Sequence, residues 1–268
     1  MLKDITLGQY FPGDTLAHRL DPRTKLILVV LYIVALFCAK YFWTYALVAL
    51  VLAICVRISR VRLKALVRGL KPVLIIITFT ALLNLFYTKG EEPLWHWHFL
   101  SIYPEGILAA IFMVLRITLL IMGTFLLTYT TSPIHLTDGM ESLMNPLKKI
   151  HVPVHELSMM MSIALRFIPT LIEETDKIMS AQKARGADFE SGNLLQRAKA
   201  MIPLLVPLFI SAFRRADELA VAMECRCYHG GEGRTKLHVL HYAARDYIAM
   251  VLGLAFAVGI FILGRMGL

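Results

Sequence analysis

Apolar runs at residues 26–39, 41–56, 72–87, 106–130 and 247–263 constrain this chain more than any other feature. A helix rises about 1.5 Å per residue and a bilayer's hydrocarbon core is about 30 Å thick, so a chain built largely of such runs belongs in lipid. Composition agrees: 57% of residues are hydrophobic and only 18% charged, where an ordinary soluble domain carries about 25% charge. The net charge of +9 then reads as basic loops held on the inner side of a membrane. Nucleic acid is set aside, because no aromatic residues interleave the basic clusters. No apolar core of signal-peptide length precedes Leu26, so the first span is expected to direct insertion.

Charge settles how the first two runs are divided. Read as one helix, residues 26–56 would reach roughly 46 Å, well beyond the bilayer core. Both flanks are basic, with Arg19, Arg23 and Lys25 before and Arg57, Arg60, Arg62, Lys64 and Arg68 after. Two cytoplasmic flanks require an even number of crossings. Two short helices with a turn near Lys40 to Trp43 satisfy that. The third run leaves from Lys71 and Pro72. The connector TKGEEPLWHWHFLSIYPEG is acidic on balance (Glu91, Glu92 and Glu105 against Lys89), and its Trp95, Trp97 and Tyr103 suit an outer aromatic belt better than HWH at 96–98 suits a metal. The fourth run returns and the last leaves again, so the N-terminus is expected inside and the C-terminus outside. Asp21 and Pro22 fit the N-cap and first position of the opening helix. Arg116 lies within the fourth span, as a functional group facing a partner or cavity or as a structural one bonded to Asn84 or to backbone carbonyls.

Residues 132–243 form a long insert before the last span, flanked by membrane regions at 1–131 and 244–268. The insert is too apolar for a plain loop. LSMMMSIALRFIPTLI holds Arg166 and Pro169, while MIPLLVPLFISAF is thirteen residues with Pro203 and Pro207, short of the roughly 17 to 25 that a span needs. Both are expected to lie under or partly within the inner interface, their apolar faces seeking a partner. The methionines Met159, Met160 and Met161 are either an adaptable contact surface or core.

After each run the insert becomes amphipathic and ends alike, at AQKARG and at AMECRC. At an offset of forty-one residues Asp176 falls on Asp217, Ala181 on Ala222 and Arg185 on Arg226. Singly, either arginine would serve as a basic group on the last carbonyls of a helix, with Gly186 as a left-handed cap. The repetition favours docking. Ala184 and Gly186 flank one arginine and Cys225 and Cys227 the other, so each planar guanidinium stands clear of large side chains and can grip a carboxylate bidentately.

HRLDPRTKL (18–26), SIALRFIPTL (162–171), AQKARG (181–186), VPLFISAFRRADELAVAME (206–224) and GGEGRTKL (230–237) together resemble the transmembrane T component of energy-coupling factor transporters, the ABC-type importers of vitamins and some metal ions in prokaryotes. The resemblance covers nearly the whole chain. It implies an all-α integral membrane protein of about five transmembrane helices, with a cytoplasmic coupling domain of long helices inserted before the last. In that family two Ala-Arg-Gly signatures end two coupling helices, and each docks on one of two ATPase subunits of the EcfA and EcfA′ type. Ala184, Arg185 and Gly186 are the first signature intact; Cys225, Arg226 and Cys227 replace the second. An interchangeable substrate-binding S component completes the complex, and the segment with Met159, Met160, Met161, Pro203 and Pro207 is the expected contact for it. The resemblance further implies a multi-pass protein of a prokaryotic cell membrane that transmits ATP-driven motion.

Several chemistries are not expected. No phosphate-cradling Gly-rich loop with Lys and Ser or Thr is present, so ATP and magnesium are expected on partner chains. Neither H-E-x-x-H, a nucleophile elbow nor paired intramembrane carboxylates occur, against an intramembrane enzyme. Cys225, Cys227 and His229 are too few for a closed four-ligand zinc site. Four cysteines form no disulfide framework. A stand-alone secondary transporter would show repeated membrane halves, whereas here the repeat lies in the insert.

Overall fold

The structure, a computed structural model, describes residues 10–88, 95–97, 100–189, 193–230 and 239–266. The helices are α1 (Pro22–Cys38), α2 (Phe42–Ser59), α3 (Leu63–Leu70), α4 (Leu74–Tyr87), α5 (Pro104–Thr130), α6 (Pro133–Met144), α7 (Val154–Ala184), α8 (Leu194–Glu224) and α9 (Ala244–Met266). A short antiparallel hairpin, β1 (Trp95–Trp97) with β2 (Leu100–Ile102), sits on the α4–α5 connector, with Trp95 opposite Ile102. Residues 89–94 and 98–99 of that connector, including Lys89, Glu91, Glu92 and His98, lie outside the described residues, as does most of GGEGRTKL.

The chain divides into two compact units, one of residues 10–143 and 240–266, the other of residues 144–239. The first is a membrane bundle in which α1 packs on α9 and α5, and α5 also packs on α2, α3 and α4. Its core gathers Leu36, Val48, Leu52, Leu66, Leu119, Tyr129 and Ile260. Outward faces stay apolar, with Ile75, Phe79 and Val251 all exposed, as a lipid-facing surface requires. Between α1 and α9 the approach is close: a side chain at Gly264 would stand 2.8 Å from the Cys38 carbonyl oxygen, so only glycine fits. α6, which falls within the insert by sequence, belongs to this first unit; its Gly139 lies against Pro22 of α1.

Five helical segments are long and apolar enough to cross a membrane: α2, Leu63–Tyr87, α5, Leu195–Glu224 and α9. This set differs from the five apolar runs. α1 has 17 residues, about 26 Å of rise, at the lower end of the range for a span. α8, expected to be too short, is instead one continuous helix of 31 residues, with Pro203 and Pro207 inside it. The apolar run alone is short, but helix-forming residues on both sides extend it.

Charges near the membrane ends are bolts. Asp21 caps α1, its Oδ1 accepting from the Arg23 amide at 2.9 Å, with Pro22 at the first position. Lys25 is buried, and its Nζ donates to the Thr130 carbonyl (2.9 Å), the Thr131 hydroxyl (3.1 Å) and the His18 carbonyl (3.3 Å), which uses all three ammonium hydrogens. Asp246, 1% exposed, accepts from the Asp21 amide and the Ala243 amide, both at 2.8 Å, and joins the head of α9 to that of α1. Arg23 donates to the Leu240 carbonyl and lies over the Tyr242 ring.

Arg116 is a further bolt. Its Nε donates to the Tyr45 hydroxyl at 2.9 Å and its Nη2 to the Ala39 carbonyl at 3.3 Å, between the rings of Phe37 and Tyr45. The Asn84 partner weighed from sequence is not used: Asn84 donates to the Thr80 carbonyl of its own helix. Ala39 follows the end of α1, where the last carbonyls have no helical donor and a guanidinium can satisfy them.

Candidate functional site: two arginine-ended helices

The second unit is built on α7 and α8, which run antiparallel. Gln182, near the end of α7, reaches Pro203 near the start of α8, while Ile163 early in α7 shares an apolar cleft with Met223 late in α8. That cleft, about 270 Å³, also takes Phe167, Leu171 and Leu219. Gln182 Nε2 donates to the Pro203 carbonyl over 3.5 Å, a long bond but an informative one. Pro207 has no N–H to offer that carbonyl four residues back, so α7 supplies the missing donor.

Midway, Arg215 of α8 donates through Nη2 to Glu174 Oε2 at 2.6 Å, both side chains about three-quarters buried. These two positions are themselves forty-one residues apart. Matching positions of the repeat therefore touch each other where the helices meet, as in a two-fold arrangement.

The helix ends repeat in detail. At the end of α7, the Gly186 amide donates to the Lys183 carbonyl (3.0 Å) and the Ala187 amide to the Gln182 carbonyl (3.0 Å), with Gly186 left-handed at φ 89°. This pair of bonds is a Schellman motif, which satisfies two carbonyls that a helix end otherwise leaves bare. At the end of α8, the Cys227 amide donates to the Glu224 carbonyl (2.8 Å) and the Tyr228 amide to the Met223 carbonyl (3.1 Å), with Cys227 left-handed at φ 56°. It is the same motif, residue for residue, with a cysteine where glycine is the usual choice. A β-carbon in that conformation costs roughly 1 kcal/mol. The hydrogen bonds hold it there all the same.

In both motifs the arginine is the residue just before the left-handed one, which turns the chain away and leaves the side chain standing at the tip. Ala184, Arg185, Gly186, Cys225, Arg226 and Cys227 are all exposed. Neither the Arg185 nor the Arg226 guanidinium has a hydrogen-bond or ion-pair partner among the described residues. Each lies eleven residues beyond its own member of the Glu174–Arg215 pair, about 16 Å of helix rise, and the antiparallel course points the two tips in opposite directions.

The remaining candidates divide. Met160 and Met161 are exposed on α7 and Met159 is half-buried; Pro203 is exposed and Pro207 half-buried on α8. Among the described residues no group of His, Cys, Asp and Glu is placed to hold a metal ion, and all four cysteines are free thiols. The sequence argument missed Asp246 and the intramolecular use of Lys25 and Arg23. An acid at the head of an apolar run was the available signal.

A profile of the CbiQ family, described as cobalt transport protein, matches residues 13–237 of this chain. Three relatives bear the name energy-coupling factor transporter transmembrane protein EcfT. That of Clostridium kluyveri is 56% identical over 255 residues, covering 95% of this chain and 94% of its own. That of Bacillus subtilis is 53% identical over 251 residues, 94% of this chain and 95% of its own. That of Lactococcus lactis is 45% identical over 250 residues, 93% and 94%. The chain belongs to the EcfT family of energy-coupling factor transporter transmembrane proteins. EcfT relatives therefore share the length of chain that carries both arginine-ended helices, and the multi-pass helical bundle is that of a transporter membrane component.

Proposed function

We propose that this chain is the coupling subunit of an energy-coupling factor importer, non-catalytic itself, and that Arg185 and Arg226 dock on two ATPase subunits, one each. The observation that carries this reading is the duplicated helix end: two unpartnered guanidinium groups presented by the same cap at opposite ends of one antiparallel pair. A groove on each ATPase receives one tip, with a carboxylate to meet the planar fork. ATP and magnesium are held by those partner chains. When ATP binding and hydrolysis change the spacing of the grooves, α7 and α8 carry the change to a substrate-binding S component held against their apolar faces, where Met160, Met161, Phe209 and Phe213 are exposed. The S component topples and delivers its substrate inward. Substrate choice, a vitamin or an ion, rests with that separate chain. The basic flanks place the N-terminus and the arginine-ended helices in the cytoplasm and the C-terminus outside.

Purification of the complex through this chain, with Arg185→Ala and Arg226→Ala variants, tests the assignment. Each variant should insert into the membrane normally yet lose most ATP-driven uptake. The lysine variants should recover little of it, since a point charge does not reproduce bidentate contact. Wild-type uptake by both alanine variants, or uptake by this chain alone in liposomes without ATP, would overturn the reading.

A further inference from the structure

Where α2 ends, the chain turns sharply through Arg60, left-handed at φ 53°, into α3. Facing that turn is the segment before α1, Phe11 to His18, and between the two lies an open cleft of about 910 Å³. One wall carries Arg57, Arg60 and Arg62. All three are exposed, and none of their guanidinium groups has a hydrogen-bond or ion-pair partner among the described residues. Asp14 is the only carboxylate in the lining among the described residues.

The opposite wall is held in place. The Phe11 amide donates to the Tyr129 carbonyl at 3.0 Å, and the two rings meet edge to face at 5.2 Å. His18 is occupied within the segment, bonded to the Thr15 hydroxyl at 2.7 Å and to the Phe11 carbonyl at 3.0 Å. The arginines thus face a fixed wall, and among the described residues no carboxylate pairs with them.

We propose that this cleft binds the phosphate headgroup of an anionic phospholipid. Three arginines line a volume large enough for a lipid headgroup, and the planar fork suits phosphate oxygens. Two features select a lipid over a free anion. The cleft opens at the end of a helix long and apolar enough to span the membrane, and Ile58 and Ile54 continue down the exposed face of α2 below it, a path for an acyl chain. Beside it, α3 lies as an amphipathic helix with Leu63 and Val67 exposed among Lys64 and Arg68, the composition of a helix resting in the headgroup layer. Basic pockets at membrane-helix ends are suited to acidic headgroups.

The test uses the intact transporter purified in detergent through this chain, exposed to phosphatidylglycerol, to phosphatidylcholine with the same acyl chains, or to inorganic phosphate, with bound molecules counted by native mass spectrometry. The wild type should retain phosphatidylglycerol in clear preference to phosphatidylcholine, and phosphate should not displace it. Arg57→Gln with Arg62→Gln should lower retention by about thirtyfold, the scale set by removing two basic contacts at a membrane surface. Leu16→Glu leaves every arginine and helix intact while placing a carboxylate in the lining, and should lower it too. Lys148→Gln with Lys149→Gln, two exposed residues of the other unit, makes the same change in net charge outside the cleft and should leave retention near wild type. Equal loss in that control pair would mean general surface charge and overturn the site. So would displacement by inorganic phosphate, or a complex without preference for phosphatidylglycerol, the latter assigning the cleft to a partner chain. None of these readouts depends on ATPase docking by Arg185 and Arg226.

Discussion

Gly186 and Cys227 occupy equivalent positions, so their difference can be weighed directly. Both have positive φ, and a side chain added at Gly186 would meet no atom within 4 Å, which leaves backbone strain as the whole cost of substitution. Gly186→Ala should therefore loosen the end of α7 by about 1 kcal/mol, and Cys227→Gly should tighten the end of α8 by a similar amount. Hydrogen exchange at the Ala187 and Tyr228 amides, which close the two motifs, measures both: faster at Ala187 in the first variant, slower at Tyr228 in the second. The sequence suggested a left-handed cap at Gly186 and left the cysteine-flanked end open, because glycine is the usual signature of that conformation and Cys227 lacks it. What decides the geometry is the pair of backbone hydrogen bonds, which side-chain identity does not reveal. Asp246 is a second case. It satisfies two backbone amides in a buried place, so Asp246→Ala should cost roughly 1 to 3 kcal/mol per amide left bare. Asp246→Asn, which keeps one acceptor, should cost less, as read by the melting temperature of the purified complex.

Among the elements, α7 and α8 are joined by the Glu174–Arg215 pair, the Gln182–Pro203 bond and a shallow apolar cleft. With so little between them, the ion pair should matter for how the two helices move together. A double-mutant cycle of Glu174→Gln and Arg215→Gln on complex stability should give a coupling near 1 kcal/mol, since the pair is only partly buried. The charge swap Glu174→Arg with Arg215→Glu should restore most of the uptake lost in either single variant. The forty-one-residue offset was visible in the sequence through Asp176, Ala181 and Arg185, but that matching positions also touch was not, because a repeat does not specify how its copies pack. Helix lengths were misjudged for a related reason. The apolar core of α8 is bounded by polar residues that remain helical, so composition marked only the middle of the element. α1 shows the converse, an apolar run that ends together with its helix, at the lower limit of spanning length.

For the whole molecule, the apolar runs and basic flanks made the membrane character legible at once, whereas the roles of several charges were not. Arg23 and Lys25, counted as inside markers, also donate to Leu240, Thr130, Thr131 and His18, and so hold the bundle together as well as marking its inner side. Lys25→Met should therefore destabilise the bundle, seen as a lowered melting temperature, without inverting topology, seen by accessibility of cysteines introduced on either side. On the proposed docking, native mass spectrometry should count two ATPase chains on the wild type and one on each of Arg185→Ala and Arg226→Ala. The tips stand equally far from the Glu174–Arg215 pair along their helices. A balance with arms of equal length has no mechanical advantage: a displacement entering at one pan leaves at the other with the same size and opposite sense. If the two nucleotide sites fire unequally, the bias has to come from what each pan rests on, glycine at one end and cysteine at the other, and exchanging those residues would exchange the bias.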